Sequence, residues 1–167
     1  QNALVIGGGA YSIPKALIAE LPNATIDVSE IELSLFDLAK QYFNVEDNPN
    51  LDNYTEDGRR LLRYSDKKYD LIFSDVYYSL FSIPAHFTTQ EFFTIAKEKL
   101  SDDGVFMANL IGDLSRQKPS LIFAEIKTFQ SVFPNSYFFA IETPEKTGSQ
   151  NIIFVGYNSD KKIDLSA

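Results

Sequence analysis

Cysteine and tryptophan are absent from the 167 residues, histidine and methionine occur once each, and no apolar run approaches the length of a bilayer. Without Cys, disulfides and thiolate metal sites are excluded, which suits a reducing, cytoplasmic setting. The lone His86 cannot build a histidine-rich centre, so no metal site is expected. Crossing a membrane takes about 20 consecutive apolar residues. No membrane insertion is therefore expected of this chain, and no signal peptide precedes its first strand. Basic residues are scarce too: 15 Lys and Arg stand against 23 Asp and Glu, a net charge of −8. Such a field repels the phosphates of nucleic acid and anionic lipid, which points to a small-molecule or protein partner.

What the chain does have is 44% hydrophobic residues and no internal repeat, enough for one domain, residues 1–167, with a sizeable core. Gln1 and Asn2 lead straight into a core strand, so the domain reads as a piece of a longer protein. The stretch Ala3 to Pro14, ALVIGGGAYSIP, organises the rest. An apolar strand that delivers a glycine turn into a helix N-terminus can bring backbone N–H groups close to a ligand, with no Cβ in the way. Gly7, Gly9 and Ser12 match the dinucleotide fingerprint imperfectly, with Ser12 at the place of its last glycine. The same pattern also serves as a tight strand-to-helix turn with no ligand.

Along the chain, apolar runs and helical spacings alternate. Strands are expected at Ala3–Ile6, Ala24–Val28, just before Glu56, at Tyr69–Ser74, Val105–Leu110, Tyr137–Thr143 and Asn151–Tyr157. Helices are expected at Pro14–Leu21, Leu33–Tyr42, Arg59–Tyr64, Glu91–Leu100 and Ser120–Val132, with a capping box at Thr88-Thr89-Gln90-Glu91 and a turn at Ser101–Gly104. Such alternation gives an α/β three-layer, Rossmann-like fold, its sheet mostly parallel with an antiparallel strand near the C-terminus. In such sheets ligands bind at the carboxyl ends of the strands. Gly7, Gly8 and Gly9, Glu30, Asp57 and Asp75 all fall at such ends.

The ordered set IGGGA, VSEIE, EDGRRLL, YDLIFSD, TTQEFF and LSDDGVFMANL resembles the spermidine synthase family, within the class I S-adenosylmethionine-dependent methyltransferase fold. It looks closest to members fused to membrane-transporter-like segments. The resemblance implies S-adenosylmethionine or its decarboxylated form as co-substrate and a small amine, or another methyl acceptor, as partner. By it, Gly7, Gly8 and Gly9 approach the nucleoside and its tail, Glu30 holds the ribose, and Ile31 packs on the adenine. Asp57 and Gly58 flank that base, and Asp75 sits beside the sulfonium. A homodimer is a further expectation.

Two positions depart from the family pattern. Ala10 stands where the glycine loop carries an aspartate for the donor's amino tail. Tyr78 stands where a second aspartate deprotonates the attacking amine. Both missing carboxylates serve amines, and a phenol with a pKa near 10 is a poor base for an ammonium with a similar pKa. The catalytic candidates are thus Asp75 and Tyr78, and three readings stand: aminopropyl transfer, methyl transfer, and a non-catalytic sensor or scaffold domain. An NAD-binding domain is rejected, because it explains neither Asp57-Gly58 nor the C-terminal strand pair. Further candidates are His86 as a general base, Tyr77, Tyr78, Phe81 and Phe87 as an aromatic lid or a hydrophobic cluster, and Asp113 at the cleft rim. Arg59, Arg60 and Arg63 read as a solvated face paired with nearby acids.

Overall fold

Residues 3 to 6 alternate between two buried faces, and that alternation explains the architecture. In a computed structural model, which describes residues 1–77, 83–117 and 119–162, β1 (Asn2–Ile6) sits inside a seven-stranded sheet. Leu4 and Ile6 enter one core, Ala3 and Val5 the other. A parallel strand covered by helices on both sides must be apolar on both sides.

The order of elements is β1, α1 (Ser12–Glu20), β2 (Thr25–Ser29), α2 (Leu35–Tyr42), β3 (Leu51–Tyr54), α3 (Gly58–Tyr64) and β4 (Tyr69–Ser74). A 3-10 turn at Ala85–Phe87 follows, then α4 (Gln90–Lys99), β5 (Leu100–Gly112), α5 (Ile122–Val132), β6 (Ser136–Ala140) and β7 (Gln150–Tyr157). The strands lie side by side as β3-β2-β1-β4-β5-β7-β6, and β7 runs antiparallel to both neighbours. This is the mostly parallel sheet expected from the sequence. Tyr11, Leu17, Phe36 and Ala39 from the α1 and α2 side pack on one face. Leu62, Phe92, Phe93, Phe129 and Phe133 from α3, α4 and the α5 end pack on the other. Phe93 and Phe129 meet edge to face with ring centres 5.0 Å apart, the arrangement that the ring quadrupole favours.

Two local features differ from the sequence reading. Ser101–Gly104 is not a free turn: β5 starts at Leu100, its pairing with β4 shifts register between Tyr69 and Leu71, and Asp103 takes φ +61°. A bulge therefore does the work that SDDG suggested for a turn. The buried β2 also carries a charge, Asp27, 2% exposed, whose carboxylate accepts from Lys67 Nζ at 2.8 and 2.9 Å and from the Tyr69 hydroxyl at 2.8 Å. Burial pulls the Lys67 pKa down, but the Asp27 carboxylate outweighs it and the net direction is up. Among the described residues, no helix is long and apolar enough to cross a membrane.

The sheet order reverses between β1 and β4. Chain direction from β1 runs outward to β2 and β3, then returns across β1 to β4 and continues the other way. Diverging connections leave a crevice at the carboxyl ends of β1 and β4.

Candidate functional site

A cavity of about 410 Å³ opens at that crevice, within the range usual for small-molecule sites. Its lining brings together Gly7 and Gly9 after β1, Glu30 and Ile31 after β2, Asp57 and Gly58 after β3, and Asp75 after β4. Residues up to 68 positions apart in the chain thus share one space because parallel strands end on one side. Ile31 is 72% exposed at the rim, open for a flat ring to cover.

The glycine turn is built differently from the expected cradle. Gly7 has φ +93°, and a Cβ there would stand 2.4 Å from the Asp75 carbonyl oxygen, so glycine is what allows β1 and β4 to close together. Gly8 N–H donates to Glu30 Oε2 at 2.8 Å and Gly9 N–H reaches the same atom at 3.4 Å. Gly7 N–H is bonded to the Ser29 carbonyl. These three N–H groups therefore serve the protein itself. Gly8 is buried beneath the cavity rather than lining it, against the Tyr11 ring. Tyr11 is wholly buried with φ +58°, donates its hydroxyl to Asn53 Oδ1, and has its pKa pushed up by burial and by Glu30.

Glu30 is 9% exposed, and its Oε1 accepts the Glu32 N–H at 2.9 Å. With about four lone-pair sites and three donors already on it, one acceptor site remains.

Asp57 caps α3, with Oδ1 accepting Arg60 N–H at 2.9 Å. Its Oδ2 lies 3.1 Å from His86 Nε2. Gly58 fits because a Cβ there would stand 2.1 Å from Ile6 Cγ2. His86 lines the cavity and its ring rests on Phe87, centres 4.4 Å apart. Arg59 does not belong to the solvated face: its guanidinium donates to the His86 carbonyl at 3.0 Å and reaches Thr89 Oγ1 at 3.4 Å, tying α3 to the 3-10 turn. Arg60 keeps the expected acidic partner, Glu56, at 2.5 Å.

Asp75 N–H is bonded to the Ile6 carbonyl, and its Oδ1 accepts Asn109 Nδ2 at 3.0 Å. Tyr77 lines the same side and donates to the Asn109 carbonyl at 2.8 Å. Burial first, then the Asp75 and Glu125 carboxylates, push the Tyr77 phenol up, which keeps it a neutral donor. Burial also pushes the Glu125 carboxyl up. Asn109 and Glu125 escaped the sequence reading; only their places on β5 and in the first turn of α5 could have drawn attention. Tyr78 and Phe81 lie outside the described residues. Phe87 is 5% exposed and packs edge to face on Phe92, so it belongs to the core as well as the cavity wall. Asp113 braces loops instead, accepting from the Ser115 and Gly148 N–H groups.

Sheet order, the glycine turn and the strand-end acids around one crevice together define a domain of the class I methyltransferase fold. The whole chain, residues 1–167, matches the spermine/spermidine synthase domain, and it belongs to that family. It is 31% identical over 156 residues to a polyamine aminopropyltransferase of Vibrio vulnificus, covering 92% of this chain and 50% of that protein. A probable spermidine synthase from Corynebacterium glutamicum superposes with TM-score 0.82 at 22% identity, over 99% of this chain and 59% of that one. Human methyltransferase-like protein 13, in complex with S-adenosylhomocysteine, superposes with TM-score 0.79 at 26% identity, over 99% and 72%. The chain spans about half the length of that aminopropyltransferase and a third of a second relative.

Proposed function

We propose that this cavity binds S-adenosylmethionine or its decarboxylated form, and that the chain transfers a carbon group from the sulfonium to a small amine. The observation that carries the reading is the meeting of Glu30, Asp57 and Asp75 around one cavity at the sheet's switch point. In this reading Glu30 accepts a ribose hydroxyl and Asp57 the adenine amino group, with Ile31 covering the base. Asp75 stands beside the sulfonium. The amine lone pair attacks the adjacent carbon, the C–S bond breaks with its electrons going to sulfur, and the amine's proton is released. Sulfur leaves as a neutral thioether. Positioning supplies most of the acceleration, since a sulfonium is already a good leaving group.

Methyl transfer is the second reading. Ala10 favours it, because no carboxylate stands there for the amine of a decarboxylated donor, and the human neighbour holds the product of a methyl transfer. The by-product separates the two. Incubating the chain with each donor and a panel of di- and polyamines, with mass spectrometry of the products, should release methylthioadenosine if an aminopropyl group moves. S-adenosylhomocysteine is released if a methyl group moves. Neither thioether above the buffer rate would leave the site a sensor and overturn the transferase reading.

A further inference from the structure

Asn109 stands on β5 one residue beyond Ala108, which pairs with Ser74 at the end of β4. Two polar groups of the cavity's β4 side end on it. Its Nδ2 donates to Asp75 Oδ1 at 3.0 Å, and its main-chain carbonyl accepts the Tyr77 hydroxyl at 2.8 Å. Its own Oδ1 is enclosed and has no hydrogen-bond partner among the described residues. Turning the amide over would set oxygen against the Asp75 carboxylate, so the orphaned acceptor follows from holding that carboxylate. For stability alone the amide gains little: its bond to Asp75, which lines the cavity, is offset by an enclosed oxygen left without a partner. A half-satisfied buried amide calls for another reason to be there.

We propose that Asn109 is a positioning residue, whose side chain fixes the Asp75 carboxylate toward the cationic centre of the bound donor, while its main-chain carbonyl, which any residue would supply, holds Tyr77 beside it. The inference rests on the sulfonium reading of the cavity. A carboxylate held at one rotamer attracts a positive sulfur and does little for the neutral thioether left after transfer. Asn109 therefore sets the preference of the site for charged donor over spent product, acting through Asp75.

The test compares S-adenosylmethionine with S-adenosylhomocysteine by titration calorimetry on the wild-type chain, Asn109→Leu, Asp75→Asn and the double variant, with thermal melts of each. Asn109→Leu should keep its melting temperature, weaken S-adenosylmethionine about tenfold, the scale of one hydrogen bond to a charged group, and leave S-adenosylhomocysteine within about twofold. The double variant should bind no worse than Asp75→Asn, because two residues acting as one unit are not additive. Asn109→Ser carries the same expectation if the leucine variant does not fold. Equal weakening of both ligands, no weakening of either, or losses that add in the double variant would overturn the proposal. A wild-type chain that takes only the decarboxylated donor is tested in the same way with that donor against methylthioadenosine; if it binds none of the four, the sulfonium reading itself falls, an outcome distinct from those three.

Discussion

Replacing Glu30 by alanine separates a built-in carboxylate from a strand-end acid that merely faces water. Glu30 is 9% exposed, and it holds the buried Gly8 N–H at 2.8 Å and the exposed Glu32 N–H at 2.9 Å. A hydrogen bond to a charged group contributes about 1.5–3 kcal/mol, and leaving a buried donor unpaired costs about 1–3 kcal/mol. Water can reach Glu32 but not Gly8, so the Gly8 bond dominates and the 3.4 Å contact from Gly9 adds little. The loss should be about 3 kcal/mol. For a chain of this size each kcal/mol lowers Tm by about 2–4 °C, so Glu30→Ala should melt roughly 6–12 °C below wild type. Glu30→Gln, with one oxygen for two donors, should lose about half as much. Circular-dichroism melts at neutral pH decide the matter. A Glu30→Ala variant melting within about 2 °C of wild type would refute the claim that this side chain closes the glycine turn.

Three further perturbations address single links of the account. Asp57→Asn should keep α3, because Asn caps about as well as Asp, yet weaken methylthioadenosine by at least about tenfold through loss of a charged acceptor; Asp57→Ala should also cost about 1 kcal/mol of stability. Calorimetry and melts read the two effects separately, and full affinity in Asp57→Asn would remove the adenine role. Gly58→Ala should lose about 1–3 kcal/mol in urea denaturation, because its Cβ would stand 2.1 Å from Ile6 Cγ2, a conflict larger than the helix-propensity gain of at most about 1 kcal/mol. Burial raises the Glu125 pKa, so the fold favours its neutral form: that contribution is complete below the unfolded pKa of about 4.3 and is lost as pH rises through the folded value. Glu125→Gln should thus melt above wild type at pH 7, with the gap closing toward pH 4. A gap independent of pH would contradict the sign.

What the sequence made legible was local. The ALVI run into three glycines marked β1 and its turn, and TTQE marked the start of α4, where Thr89 Oγ1 does accept the Phe92 N–H at 3.2 Å. Strand ends are also local, so Glu30, Asp57 and Asp75 could be placed at one edge before any pairing was known. Partners across the chain were not legible. Arg59 meets the 3-10 turn 27 residues on, Asp75 meets Asn109 34 residues on, and Asp27 finds Lys67 and Tyr69 about 40 residues on. Each is set by which strands lie side by side, and no periodicity in the chain encodes that. The glycine N–H groups show the same limit: the pattern revealed donors at a turn, but whether they face a ligand or Glu30 is a matter of three-dimensional closure.

The claim on which the rest depends is that the cavity at the β1 and β4 ends takes an adenosyl sulfur compound. Isothermal titration of the 167-residue chain with S-adenosylmethionine, its decarboxylated form, methylthioadenosine and NADH tests it directly. Saturable one-to-one binding of at least one of the three sulfur nucleosides, with no heat from NADH, is the predicted result. Binding of NADH alone, or of none of the four, would contradict it.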